Sequence, residues 1–211
     1  MTTDPPEAPW FPSGRAAAMD LTPTTLEGST IRLEPLDTAH LDALSEVAFD
    51  PDLWRVTVSK LASRRDLEAY VEEALADRRA GTALPFATVL KATGRVIGST
   101  RFGNAVPVHR RVEIGWTWVA QPWQRSGANR EAKYLMLRHA FERWGCLRVE
   151  FKTSAVNQRS RTALTRLGAV EEGILRHHMV NADGSLRDSV YFSILAEEWP
   201  AVRRRLEERL A

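Results

Sequence analysis

The sequence is short of several things, and each shortage removes a class of protein. One cysteine, Cys146, stands among 211 residues. No intrachain disulfide can form, paired Cys or Cys/His metal spacing is absent, and no metal is expected. Such cysteine poverty fits a reduced, cytoplasmic setting. No apolar run approaches the roughly 20 residues a bilayer demands, so no transmembrane helix or membrane partner is expected. Excess charge is missing too. The 29 basic and 27 acidic residues leave a net +2, which makes no case for nucleic acid or an anionic lipid surface. A Gly-Lys-Ser/Thr loop and a G-x-G-x-x-G run are both absent, which removes the Walker A and dinucleotide fingerprints. The opening MTTDPPEAPWFPSGRAAAMD lacks the basic start and apolar stretch of a signal peptide.

What remains is one soluble domain, 44% hydrophobic and 27% charged. Five prolines by residue 23 place a flexible Pro-rich arm over 1–28, with a single domain over 29–211. Trp10 and Phe11 could anchor that arm in a groove, on the same or a partner subunit. Residues 31–36 alternate apolar and polar as a strand does. Leu41, Leu44 and Ala48 share a helical face. A second helix follows Ser63 and Asp66, carries Leu67, Tyr70, Val71 and Leu75, and stops at Gly81. Strands are predicted over 85–91 and 96–102, hinged at Thr93-Gly94, and over 111–119. Gly115 inside the third suggests a bulge, which would splay the strand and free backbone groups for an extended ligand. A helix over 128–144, a strand over 147–153 and a helix over 157–167 closed by Gly168 come next. Strands over 170–180 and 189–195 and a final helix from Ala196 complete the chain. The fold class is α/β: one mixed, twisted sheet of about seven strands with helices on both faces.

The stretch WTWVAQPWQRSGANREAK, residues 116–133, runs from a β-branched strand through a Pro-containing turn into an apolar-periodic helix. Such a turn aims successive N–H groups outward at the positive end of a helix dipole, an anion site suited to a pyrophosphate. Arg125 and Arg130 add charge at its rim. The plainer reading is an ordinary helix start.

The pattern Gln124-x-x-Gly127-x-Asn129 resembles the acyl-CoA-binding motif of the GNAT superfamily of N-acetyltransferases. It departs from that motif in Asn129 and in a short spacer after Pro122. About thirty residues on, Asn157, Ser160 and Leu167-Gly168-Ala169 are similar to a second GNAT signature. They match the branch that acetylates the N-terminal alanine or serine of ribosomal proteins. Glu171 to Arg176 and Arg187 to Val190 continue the likeness, which covers residues 30–195.

The resemblance implies a GNAT fold, acetyl-CoA as co-substrate and a primary amine, protein N-terminus or small molecule, as acceptor. It also implies a homodimer. Backbone at Trp118 and Val119 would pair with pantetheine, the turn Gln124, Arg125, Ser126, Gly127, Ala128, Asn129 and Arg130 would hold the pyrophosphate, and Asn157 would bond the pantetheine arm. Ser160 would sit beside the sulfur and protonate the leaving thiolate; otherwise it caps its helix. Glu113 is the candidate general base, against a plain ion pair. His177 or His178 is a second possibility for that base, and Trp54, Trp116, His177 and Tyr191 are candidates for the acceptor pocket, with Trp123 beside them. His139 reads as a satisfied core histidine and Cys146 as structural. Transfer would be direct, in a ternary complex. The competing class is a non-catalytic acyl-CoA-binding module on the same fold.

Overall fold

A computed structural model describes residues 19–210, so Trp10, Phe11 and most of the Pro-rich arm lie outside the described residues. Eight strands make one sheet: β1 (Leu26–Glu27), β2 (Ile31–Pro35), β3 (Leu84–Leu90), β4 (Val96–Val106), β5 (Arg111–Val119), β6 (Arg148–Ser154), β7 (Val170–Val180) and β8 (Leu186–Leu195). Their order is β1-β2-β3-β4-β5-β6-β8-β7. Five α-helices accompany them: α1 (Leu41–Ser45), α2 (Arg64–Arg79), α3 (Ala128–Arg138), α4 (Gln158–Leu167) and α5 (Trp199–Glu208). Among the described residues only β5 and β6 pair in parallel. A parallel pair needs a crossover, and α3 supplies it.

The strand beyond the expected seven is β1, drawn from the stretch assigned to the arm. Leu26 pairs with Leu33 and is buried. Met19 and Leu21 pack on the core, and the Trp144 indole donates to the Asp20 carbonyl at 2.8 Å. Residues 19–27 therefore lie against the body.

Local chemistry explains the helices. The Ser63 hydroxyl accepts from the Asp66 amide, and the Asp66 carboxylate accepts from the Ala62 amide, so α2 begins there. Its buried stripe is Leu67, Tyr70, Val71, Ala74 and Leu75, the spacing of one helical face. That stripe packs with α1 on one side of β3, β4 and β5, around Ala87, Val89, Val96 and Trp118. The other side of the sheet carries the larger core under α3, α4 and α5, including Phe86, Phe102, Phe151 and Phe192. Full burial of such a side chain stabilises by roughly 1.5–3 kcal/mol. The helix expected over 128–144 changes character within that core. It is α-helical to Arg138, and a π turn covers His139–Arg143. His139 packs 4.7 Å from Trp144, but its Nε2 is buried without a partner, so it is not the satisfied histidine expected. Burial, with Arg143 nearby, holds its imidazole below the ordinary value.

The feature that positions the site is the parting of β5 from β6. Their pairing covers only Arg111, Val112 and Glu113 against Arg148, Val149 and Glu150. Beyond Glu113 that edge of β5 has no neighbouring strand, while β6 stays paired with β8 to Ser154. The register with β4 also skips: Ser99 faces Trp118 and Arg101 faces Gly115, so Trp116 and Thr117 lie opposite Thr100. This is the expected bulge, but its left-handed residue is Trp116, with φ +48°, and not Gly115. Such a backbone costs a non-glycine residue about 1–2 kcal/mol. The Tyr70 hydroxyl, 3.2 Å from the Trp116 carbonyl, and the Arg101 guanidinium, 4.9 Å from the Trp116 ring, hold it there. Gly115 contributes space, since a Cβ would come within 3.0 Å of Glu113 Oε1.

Candidate active site

The carboxyl ends of the parallel strands β5 and β6 lead into α3 and α4, so two helix N-termini open onto the gap between them, a usual location for ligands in α/β sheets. After β5, a short 3-10 turn over Gln121–Trp123 reverses the chain. Arg125 (φ +66°) and Gly127 (φ +96°) are both left-handed. The amides of Arg125, Gly127, Asn129 and Arg130 find no acceptor among the described residues, while that of Ala128 meets the Ser126 hydroxyl at 3.3 Å. Free, convergent amides at a helix start form an anion nest. Two of the residues expected here are otherwise occupied. The Gln124 carboxamide donates to the Val119 carbonyl at 2.8 Å, so that carbonyl is already taken. The Arg130 guanidinium donates to the Arg209 carbonyl at 2.8 Å, which leaves exposed Arg125 as the rim cation.

On the opposite wall Asn157 caps α4, its Oδ1 accepting the Ser160 amide at 3.1 Å. The capping role considered for Ser160 therefore falls to Asn157. The half-buried Ser160 hydroxyl has no hydrogen-bond partner among the described residues. Trp118 turns its ring into the α1/α2 core, 5.5 Å from Trp54, and its indole N–H is buried and unpartnered.

Sequence reasoning missed Lys133. Its ammonium is buried beneath the bulge, 2.5 Å from the Thr117 hydroxyl and 3.4 Å from that of Thr100. No carboxylate among the described residues pairs with it, and burial draws its pKa down from 10.5 to about 7. A lysine in a helix normally points to solvent. The one available signal is its place on the apolar stripe, one residue beyond Ala132. Glu131 was missed as well. Its carboxylate accepts from the amides of Ser29, Thr30 and Ile31 and from the hydroxyls of Ser29 and Thr30, which ties α3 to the β1–β2 turn. Burial opposes its ionisation, but these hydrogen bonds prevail and hold the carboxyl below its ordinary value.

The sheet face turned away from α3 is polar at this end. Alternation along the strands puts Glu113, Glu150, Lys152 and Tyr191 on that one face. Glu113 is buried there. It accepts from the Asn104 side-chain carboxamide at 2.7 Å, and the Lys152 ammonium lies 3.5 Å away. The surface ion pair considered for Glu113 is thus a buried one. Lys152 lies 5.9 Å from the Tyr191 ring and His178 5.6 Å from it. Arg187 completes the group. Of the aromatic candidates, Tyr191 belongs to this cluster and Trp116 to the adjoining bulge. Trp54 is instead a core residue, 7% exposed, with its indole on the Ala48 carbonyl at 2.7 Å. His177 is exposed at the β7 bulge, its amide held by Asp188 at 2.7 Å. Trp123 lies at the turn, 4.9 Å under Arg95. Cys146 is buried, which pushes its thiol up to about 12 and leaves no thiolate for nucleophilic attack.

The profile of the acetyltransferase (GNAT) domain matches residues 30–170. The chain belongs to the GNAT family. A crystal structure from T. thermophilus, described provisionally as an acetyltransferase, is 40% identical, superposes with a TM-score of 0.82, and covers 90% of this chain and 98% of that one. RimJ of Mycobacterium smegmatis, solved in complex with CoA-disulfide, is 25% identical at a TM-score of 0.76, over 90% of this chain and 96% of that one. YdaF of Bacillus subtilis, which carries the provisional name of a ribosomal N-acetyltransferase, is 32% identical over 106 residues. That alignment spans 50% of this chain and 57% of YdaF.

Proposed function

We propose that this protein transfers an acetyl group from acetyl-CoA to a primary amine, directly and in a ternary complex. The observation that carries the proposal is the continuous path from the unpaired edge of β5 to the four free amides of the turn. An extended pantetheine arm can add to a strand edge, and a pyrophosphate fits amides at a helix start. The CoA compound bound to RimJ and the name of YdaF support the same reading, with a protein N-terminus as the favoured acceptor.

In this reading the turn anchors CoA and the gap between β5 and β6 aims its thioester at the polar face. Holding amine and thioester in register supplies roughly 7–11 kcal/mol of the barrier reduction. The amine nitrogen attacks the carbonyl carbon, a C–N bond forms, and the C–S bond breaks. A backbone N–H of the bulge polarises the carbonyl oxygen. Glu113 takes the proton the amine sheds, directly or through water, and Ser160 gives one to the departing thiolate. The protein works as a homodimer in the cytoplasm.

A thiol-release assay with acetyl-CoA and a panel of amines and N-terminal peptides tests this. Release that depends on the acceptor is expected. CoA binding with no release against any acceptor would replace the enzyme with a non-catalytic acyl-CoA-binding module.

A further inference from the structure

Two arginines on the polar side of the sheet are buried, and only one of them is compensated. Arg101 is 1% exposed and meets Asp77 at 2.9 Å, the Trp116 ring at 4.9 Å and the Tyr70 ring at 5.6 Å. Arg187 is 7% exposed, and its side chain has no ion pair, hydrogen bond or ring contact among the described residues. Its Nε is buried with no partner. A guanidinium stays charged, and leaving one buried without an acceptor is among the costlier arrangements a fold can hold.

The neighbours do not supply the missing anion. Glu113 and Tyr191 are close enough for their charges to act on Arg187. The carboxylate of Glu113, however, already serves Asn104 and Lys152 through one oxygen. Glu150 pairs with Arg111 and Arg148, and Glu172 with Arg148 and the Ser193 hydroxyl. Half-buried Lys152 and buried Arg187 thus share the single carboxylate of Glu113, which leaves one positive charge over.

We infer that Arg187 is the binding site for a carboxylate carried by the acceptor, so that the substrate class is amines bearing a carboxylate and not simple alkylamines or polyamines. The inference rests on the acetyltransferase reading above and names the substrate of that same site. The planar guanidinium fork matches a carboxylate with two parallel hydrogen bonds. On the same face Glu113 stands beside the amine. The acceptor would thus be held at both ends, its carboxylate on Arg187 and its nitrogen toward Glu113. The carboxylate can be the α-carboxylate of a free amino acid or an acidic side chain near a peptide N-terminus.

The test compares wild-type kcat/KM across matched acceptors in the thiol-release assay. One arm sets amino acids against their α-carboxamides and decarboxylated amines. The other sets N-terminal peptides carrying Asp or Glu in the first residues against the same peptides with Asn or Gln. A preference of roughly tenfold or more for the carboxylate form is expected in one arm, which also names its source. Arg187→Met should collapse that ratio toward one, and Arg187→Lys should restore part of it. Because the preference is read on the wild type, a variant that fails to fold does not spoil the test. Equal rates for charged and neutral acceptors would overturn the inference and leave the acetyltransferase reading standing. An unchanged ratio in folded Arg187→Met would also overturn it. No release with any acceptor would overturn both.

Discussion

The turn after β5 and the polar face of β5, β6 and β8 flank the same gap but are built from different material. The turn works through its main chain. Its free amides belong to Arg125, Gly127, Asn129 and Arg130, and its side chains contribute little beyond Arg125. The polar face presents side chains whose charges are set against each other: buried Glu113 and Arg187, with half-buried Lys152 beside them. Main-chain recognition suits a ligand part common to all substrates, such as a pyrophosphate. Side-chain recognition suits the part that varies, the acceptor.

The sharpest way to separate the two regions is Gly127→Glu. Gly127 sits at φ +96°, and no atom would lie within 4 Å of an added Cβ. The damage therefore comes from backbone strain and from a negative charge at the proposed pyrophosphate site. Acetyl-CoA binding should fall below detection in calorimetry while the far-ultraviolet dichroism stays native. On the other side of the gap, Glu113→Gln should lower turnover by roughly 10²–10³-fold with little change in acetyl-CoA affinity. Ser160→Ala should lower it by roughly ten- to a hundredfold, again with affinity nearly kept. A loss of CoA affinity in either variant would erase the division of labour.

Lys133 tests the floor between the two regions. Its folded pKa of about 7 lies below its unfolded value of 10.5, so below pH 7 both states hold the proton and the full burial cost applies. As pH rises from 7 toward 10.5 only the unfolded state holds it, and the cost fades. Lys133→Met should therefore stabilise the protein at neutral pH by a few kcal/mol, on the order of 4 at most, with the gain vanishing near pH 10. Urea midpoints at several pH values would measure it. The smallest effect expected is that of Glu131→Gln, a loss of about 1–3 kcal/mol at neutral pH. Its carboxyl is held below the ordinary value, so the contribution of Glu131 is present above that value and disappears as acid lowers the pH through the folded one.

The two regions also differ in how far the sequence discloses them. The turn is legible because its chemistry is local: a strand, a Pro, a glycine and a helix start lie within a dozen residues. The start of α2 at Ser63, the close of α4 at Gly168 and the fold's mixed sheet with helices on both faces are legible for the same reason. The polar face is not. Glu113, Lys152 and Arg187 come together only through the order β5-β6-β8, which no local pattern encodes. Glu131 acts on Ser29 to Ile31, about a hundred residues away, and Lys133 is hidden by the habit of lysines to be exposed. The sequence pattern puts the bulge one residue early because glycine is the usual carrier of a left-handed backbone. Here Tyr70 and Arg101, from elsewhere in the chain, hold Trp116 in that conformation instead. Strand β1 escapes notice because two residues carry no periodicity.

The most direct test of the central claim is a calorimetric titration of the wild-type protein with acetyl-CoA. One binding event per chain is expected, weakened by added inorganic pyrophosphate competing for the turn. No measurable heat over a range of temperatures, with no protection against thermal unfolding by acetyl-CoA, would contradict it.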